Sequence, residues 1–553
     1  VYKFLMKGGF CMKETMLQSL SQQERDVVEG NDGLKLYLRG LSAGKEPTPR
    51  SNLYNLEGKT EILSPDEIKA RWMDILTQLK ESDSFGKNVF HFDSHQLEKW
   101  GPQGGVAPMD ELLDDVVLPT FSGSSKSDPE AFHTENWKLA KRSVIKHLHN
   151  AGCKGLRPVP LNKVVDDMRS RDTLESNSGW PDFTRRKLPE VTARAIRDAQ
   201  NGQWKTYPAI ALFRNYNQKT RLVWMFPMSA NLVEGSFFQI LQQKLMATSY
   251  APAKQFLTPW RGFEQVKSLV TDAYRNGNIV GASDFTSTDA HFQLTTSMEV
   301  FDVLKECFQP RYRDALAESI THMHTIPLVI SDKEKIVGKH GVSSGSNWTN
   351  FIETIFDWIL AEYVRIETSA SLQLQGLYAI GDDMCWISRH NPGNDEIQRY
   401  LEAAGTSVGQ VIKAEKTMFD PDKVKTLQRL FQPNYYAPNS EILRGVYSTV
   451  RALKSLVYPE KFHKPKVWSK DMEAIRSFMI LENCVDHPLF EAFCKFAAKG
   501  DPHLKEFANY TKQKQDALFR KSKLIPGLTS TYNQEKRDQS LSTFRSVKFI
   551  ANT

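Results

Sequence analysis

The sequence predicts an α+β protein with one small antiparallel sheet, and three observations carry that prediction. Apolar residues recur at helical spacing through most of residues 65–200, as in DEIKARWMDILTQLKE, and again beyond about 440. Between these regions lie a few short strand-like runs, each bounded by turn residues. No internal repeat or low-complexity segment points to a solenoid or a disordered chain.

In chain order, residues 29–60 are rich in Gly, Pro, Ser and Asn and read as an extended connector. LEGKT at 56–60 ends like a phosphate loop, but Leu53 stands where the loop needs its first glycine, so it is not an NTPase signature. After the helical region, AIALF and TRLVWMF flank a turn around NYNQ as two strands. SANLVEGSFFQILQQKLMAT returns to helical spacing, and NIVGASDF is a buried strand running into a helix. GVSSGSNWTNFIETIFDWIL opens on a flexible turn, Gly341 to Gly345. It continues as a helix whose Trp348, Phe351, Ile352, Ile355, Phe356 and Ile359 form a wide apolar face. LYAIGDDMCWIS reads as strand, tight turn, strand, with Asp382 and Asp383 at an exposed tip.

A chain of 553 residues exceeds one core and should form two or more subdomains. Hydrophobic residues at 40% and charged residues at 25% are those of an ordinary globular protein, and the net charge of +7 suits a polyanion partner. Cys11, Cys153, Cys307, Cys385, Cys484 and Cys494 are scattered without a CxxC pair, which argues against a disulfide framework or zinc knuckle. FIETIFDWILAEYV is broken by Glu353, Asp357 and Glu362, so no run is long enough to span a bilayer. VYKFLMKGGFCMKE is too short and interrupted for a secretory signal. His91, His95, His322 and His324 match no zinc-ligand spacing.

The chemistry concentrates in three acid-bearing stretches. Two adjacent aspartates in an apolar run raise each other's pKa unless a cation balances them; the plainer reading is a polar turn between buried strands. Upstream, in GASDFTSTDAHF, Asp284 ends an apolar strand with no nearby Lys or Arg in sequence, and Asp289 opens the next helix. For Asp289 alone, a first-turn acid favoured by the helix dipole is a sufficient explanation. Asp284 set beside Asp382 would make an oxygen-rich site for two hard divalent ions, Mg²⁺ or Mn²⁺, about 4 Å apart. Ser344 and Asn350 flank the start of the helix between these acids and are placed to hydrogen-bond a ribose, while Ser346 or Asn347 caps it.

D-x4-D (Asp284, Asp289), then S-G-x3-T-N (Ser344, Gly345, Thr349, Asn350), then G-D-D (Gly381, Asp382, Asp383) resembles motifs A, B and C of the viral RNA-dependent RNA polymerases. The resemblance extends over roughly residues 170–435 and is most like the picobirnavirus polymerases, then those of partitiviruses. It implies a right hand. Residues 61–227 and 301–335 would be fingers, 228–300 and 336–435 palm with the small antiparallel sheet, and 436–553 thumb with a C-terminal tail. Residues 1–60 would be an extension bridging fingers and thumb. Arg214, Lys219 and Arg221 in FRNYNQKTRLVW resemble the basic finger motif that holds the nucleotide triphosphate. Ser176, Ser178, Gly179 and Pro181 in SNSGWP resemble the template-side loop. Lys416, or else Lys413, stands where the family has a general acid for the leaving pyrophosphate, and LQRLF at 427–431 resembles the hairpin that grips nascent RNA.

On this resemblance Asp284, Asp382 and Asp383 hold two metal ions, and Asp289 with Asn350 reads the 2′-hydroxyl. The implied partners are template and nascent RNA, ribonucleoside triphosphates and a viral capsid protein. The implied setting is a double-stranded RNA virus, in the virion interior and host cytoplasm. The tail after about 520 is expected to be loop-like and to fold back toward the cleft. Two rivals are a reverse transcriptase and a non-enzymatic RNA-packaging protein.

Overall fold

The structure, a computed structural model, describes residues 16–58, 61–121, 128–389, 394–413, 417–525, 528 and 539–553. Its strands are β1 (Leu17–Ser19), β2 (Ala209–Tyr216), β3 (Lys219–Met225), β4 (Ile279–Asp284), β5 (Leu328–Val329) and β6 (Glu334–Ile336). They continue with β7 (Gln375–Ile380), β8 (Asp383–Ser388), β9 (Met418–Phe419), β10 (Val424–Thr426), β11 (Arg429–Phe431) and β12 (Val446–Tyr447). Helices make up most of the remainder, so the chain is α+β as predicted.

The expected antiparallel sheet is four-stranded, in the order β7-β8-β4-β9. Its inner side rests on the helix Trp348–Glu367, whose apolar face buries Trp348, Phe351, Ile352, Ile355, Phe356 and Ile359. Two further sheets, β1-β6-β5-β2-β3 and β10-β11-β12, contain the expected β2–β3 strand pair and the expected turn at 427–431, while their other strands were not anticipated. Seven of the strands involved in the three sheets are only two or three residues long, too short to show period-two alternation. The β2–β3 hairpin turns at Asn217 and Gln218, both at positive φ (55° and 60°), the backbone a two-residue turn requires. Leu427 and Gln428 make the same kind of turn between β10 and β11.

The division expected at residue 61 is corrected by packing. The helix Pro65–Leu76 starts at Ser64 with a capping box to Glu67 and Pro at its first turn. Its buried face (Ile68, Trp72, Leu76) joins Val450, Leu453, Ile475 and Phe478 in one core. The Trp72 indole N–H donates to Thr449 Oγ1 at 2.8 Å. Asp93, fully buried, accepts from the Ser448 and Thr449 hydroxyls at 2.6 Å each and from Val450 N–H at 2.9 Å. His487 Nε2 lies 2.8 Å from the same carboxylate and holds its pKa below the usual aspartate value despite the burial. Residues from 63 to about 100 therefore pack chiefly with the C-terminal helices, touching the β2–β3 hairpin where Gln218 Nε2 donates to Trp100 O at 3.2 Å.

Of the tail, residues 526–527 and 529–538 lie outside the described residues, and the described end is helical where the sequence suggested a loop. Leu541, Phe544, Val547 and Ile550 fill that same core, and the helix Arg545–Ala551 has its first N–H groups held by Glu482 at 2.9 and 3.0 Å. Four apolar residues spaced along a polar segment are enough to anchor it.

The N-terminal segment connects the two ends of the molecule. β1 pairs with β6, and Leu34 and Leu38 pack on Trp180, Ile210 and Val329. Further on, Thr48 Oγ1 donates to Glu460 O at 2.6 Å, Ser51 N–H to Val457 O at 2.9 Å and Tyr54 N–H to Gly500 O at 2.9 Å.

Candidate active site

The central strand β4 carries Asp284 at its end, and β8 begins with Asp383 directly opposite. β7 and β8 are joined by Gly381 and Asp382, since Ile380 pairs with Asp383. Gly381 sits at φ +56°, a conformation that favours glycine, and donates its N–H to Thr354 Oγ1 at 2.9 Å. The turn is thereby fixed to the helix beneath it. Thr288, in the short helix after β4, donates its hydroxyl to Asp382 Oδ2 at 2.8 Å. One ligand oxygen from each of Asp284, Asp382 and Asp383 lies within 4.8 Å of the others, and all three are half-buried. The tip is thus half-buried where the sequence suggested exposure. Three hard carboxylate oxygen donors at this spacing fit divalent ions of the Mg²⁺ or Mn²⁺ kind.

Asp289 faces the cleft with its side chain accessible to water. The surrounding protein and the Asp382 charge raise its pKa to about 6, while Arg221 and Lys219 oppose that rise. Lys219 and Arg221 point the same way from β3 and are exposed, so the basic hairpin and the acidic cluster share one cleft. Arg214 is the exception. Its guanidinium makes a bidentate pair with Glu460 at 2.8 and 2.9 Å, and both Arg214 and Arg221 lie 4.9 Å over the Tyr216 ring. In this structure Arg214 bridges toward the C-terminal helices.

The loop 341–347 wraps the other side. Gly345 approaches so closely that a Cβ would stand 1.6 Å from Trp224 O, which only glycine permits. Ser344 Oγ is exposed and accepts from Trp224 N–H at 3.2 Å, leaving its own proton available. Asn350 is exposed beside Gly381. Thr349 donates to Ser343 O at 2.5 Å and serves the loop's shape. Ser346 Oγ accepts from Trp348 N–H at 3.0 Å at the helix start.

Of the template-side candidates, Ser178 and Gly179 are buried: Ser178 Oγ accepts from Thr184 N–H at 3.2 Å, and Met228 N–H donates to Ser178 O at 2.8 Å. They hold the loop against the entrance of the helix Met228–Ala247. Ser176 and Pro181 keep accessible surface. Lys416 lies outside the described residues. Lys413 is described and exposed.

Sequence reasoning gave no site role to Glu353 and Asp357, one helical turn apart beneath the aspartates. Burial and the charges of Asp382 and Asp383 push both carboxyls well above their ordinary values. Neither Asp357 oxygen has a hydrogen-bond partner. The signal was present, two acids four residues apart in an apolar helix, but it read only as an obstacle to a membrane span.

Residues 216–424 match a family model described as viral RNA-dependent RNA polymerase. A potential RNA-dependent RNA polymerase of a human picobirnavirus is 26% identical over 491 residues, 85% of each chain. An RNA-directed RNA polymerase of Cryptosporidium parvum virus 1 is 25% identical over 172 residues, 30% of this chain and 31% of the relative. The crystal structure of a human picobirnavirus RNA-dependent RNA polymerase superposes with a TM-score of 0.76 at 22% identity, covering 97% of this chain and 100% of that one. The α+β architecture is accordingly the right-hand polymerase fold.

Proposed function

We propose that this chain, which resembles the viral RNA-dependent RNA polymerases in motif order and in fold, copies RNA from an RNA template by joining ribonucleoside triphosphates. The observation that carries the reading is the convergence of Asp284 with Asp382 and Asp383, about a hundred residues further along the chain, at one end of the four-stranded sheet. These three would hold two divalent ions, Mg²⁺ or Mn²⁺. When bound, such ions make the primer 3′-hydroxyl a better nucleophile and neutralise the triphosphate.

The chain's own groups do the rest. Lys219 and Arg221 offer exposed cationic heads to the triphosphate from one face of β3. Thr288 orients the Asp382 carboxylate through its hydrogen bond. Asp289, Ser344 and Asn350 supply hydrogen-bonding groups for a ribose, which favours ribonucleotides over the deoxy substrates of a reverse transcriptase. Lys416 is assigned the proton for the departing pyrophosphate by its place in the motif order. A double-stranded RNA virus, with the enzyme in the virion interior and host cytoplasm beside a capsid protein, is the setting this likeness supports; no described helix is long and apolar enough to cross a membrane.

The test is nucleotide incorporation on an RNA template by the parent and by Asp382→Asn. The variant is expected to lose activity at least a hundredfold; incorporation within tenfold of the parent would end the assignment, and preference for deoxynucleotides would favour the reverse transcriptase.

A further inference from the structure

We propose that Glu234 is a positioning residue that couples the template-side loop 176–186 to the nucleotide-side loop 341–347. The inference rests on the polymerase reading for the names of the two sides, but its geometry stands independently. Glu234 lies in the helix Met228–Ala247, is 1% exposed, and touches none of the groups assigned above to metal or nucleotide.

Its carboxyl is the centre of a chain of hydrogen bonds. Oε1 accepts from Asn231 Nδ2 at 2.9 Å and from the Asn347 backbone N–H at 3.1 Å, and Oε2 accepts from the Ser346 hydroxyl. Asn231, 2% exposed, also donates from Nδ2 to Gly345 O at 3.1 Å. Asn347 Nδ2 returns a bond to Asn231 O at 3.2 Å. On the far side, Asn231 Oδ1 accepts from Arg186 Nη2 at 3.0 Å, and Arg186 Nε donates to Asn177 O at 3.2 Å. A continuous path therefore runs from Asn177 through Arg186, Asn231 and Glu234 to Ser346, Asn347 and Gly345.

A helix that only needed to pack would place an apolar residue at position 234, because burying a carboxyl is costly. Burial raises its pKa to about 7 and lowers that of Arg186 to about 10. What the polar network provides is geometry. Gly345 and Ser344 are held on one side against Trp224, and Gly345 is tied on the other to Asn231. A shift of the template-side loop moves Arg186, and through it the Asn231 and Glu234 side chains that hold residues 345–347 beside the nucleotide.

The test uses the full chain with Arg186→Ala, Ser346→Ala, the double variant, and Glu234→Ala and Glu234→Gln. Arg186 contacts no nucleotide group, yet Arg186→Ala is expected to raise the KM for ribonucleotides at least fivefold and to speed amide hydrogen exchange at residues 345–348 at least tenfold. The effects of Arg186→Ala and Ser346→Ala on that KM should be markedly less than multiplicative, since both cut one path. Glu234→Gln keeps an acceptor for Asn231 and Asn347 and offers a donor to Ser346, so it should stay within threefold of the parent while Glu234→Ala does not. Should Glu234→Ala fail to fold, the Arg186–Ser346 cycle decides alone. Multiplicative effects, or a ribonucleotide KM within twofold and unchanged exchange in Arg186→Ala, would overturn the coupling. If the parent chain incorporates no nucleotide, the polymerase reading fails instead, and the exchange measurement still decides the coupling.

Discussion

Asp284 and Asp383 are directly paired residues across β4 and β8, so two carboxylates stand face to face at the open end of the sheet. Like charges in directly opposed positions destabilise a strand pair. The arrangement is an unfavourable one that a divalent cation would relieve.

The first prediction follows from that pairing. Added Mn²⁺ should raise the melting temperature of the parent chain, because a ligand that binds only the folded state stabilises it. In metal-free buffer, Asp284→Asn and Asp383→Asn should melt no lower than the parent, and neither should gain from the metal. Thermal melts with and without Mn²⁺ check this, and an equal metal response in all three proteins contradicts it.

Arg214 and Arg221 should behave differently although they are cross-strand neighbours. Arg214 is 46% exposed and its partner Glu460 22%, so loss of the bridge should cost under about 1 kcal/mol of stability. Arg214→Ala is expected to leave the ribonucleotide KM within threefold of the parent, and Arg221→Ala to raise it at least tenfold. Steady-state kinetics of both variants separate the bridge from the ligand.

Lys454 gives a pH prediction. It is 2% exposed and bonded to Asn217 Oδ1 at the tip of the β2–β3 hairpin, and burial, helped by Arg451 and Lys99, lowers its pKa to about 7. An unfolded lysine keeps its proton to about pH 10.4. Between pH 7 and that value the unfolded chain therefore binds more protons, so this residue's contribution makes stability rise with pH and leaves its full penalty below pH 7. Denaturant unfolding from pH 6.5 to 9.5 should show that rise in the parent and a flatter curve in Lys454→Met.

Truncation after residue 540 should act on stability and not on initiation. Leu541, Phe544, Val547 and Ile550 are each at most 3% exposed, and burying such side chains contributes about 1.5–3 kcal/mol apiece. Their joint loss is comparable with the whole stability of a typical domain, about 5–15 kcal/mol. The truncated chain should be largely unfolded or aggregated at 37 °C by circular dichroism. A well-folded truncated protein with altered initiation would instead favour a tail that reaches the cleft.

The parts of this molecule that could be read from sequence are those whose logic is local. Gly381, Asp382 and Asp383 interrupt an apolar run, and Ser344 to Asn350 follow a glycine turn into an amphipathic helix, so residue type and spacing identify them. Arg214 looked like its neighbours because its partner, Glu460, lies 246 residues away. Residues 63 to about 100 showed a helical stripe but not what the stripe covers. The tail hid its anchors among polar residues. Glu234 and Asn231 sit three apart in an ordinary helical pattern, and nothing local distinguishes a buried network from a solvated face.

The bonds from the β2–β3 hairpin to Glu460 and Lys454, with the N-terminal strand-to-helix segment running alongside, join opposite banks of the cleft. If the proposed function holds, a strand lying over the sheet beneath these contacts would be hindered from leaving sideways while they persist. Loading would then need a free end or a transient rupture of the hairpin's bonds to Glu460 and Lys454, and the same bonds would favour long uninterrupted runs.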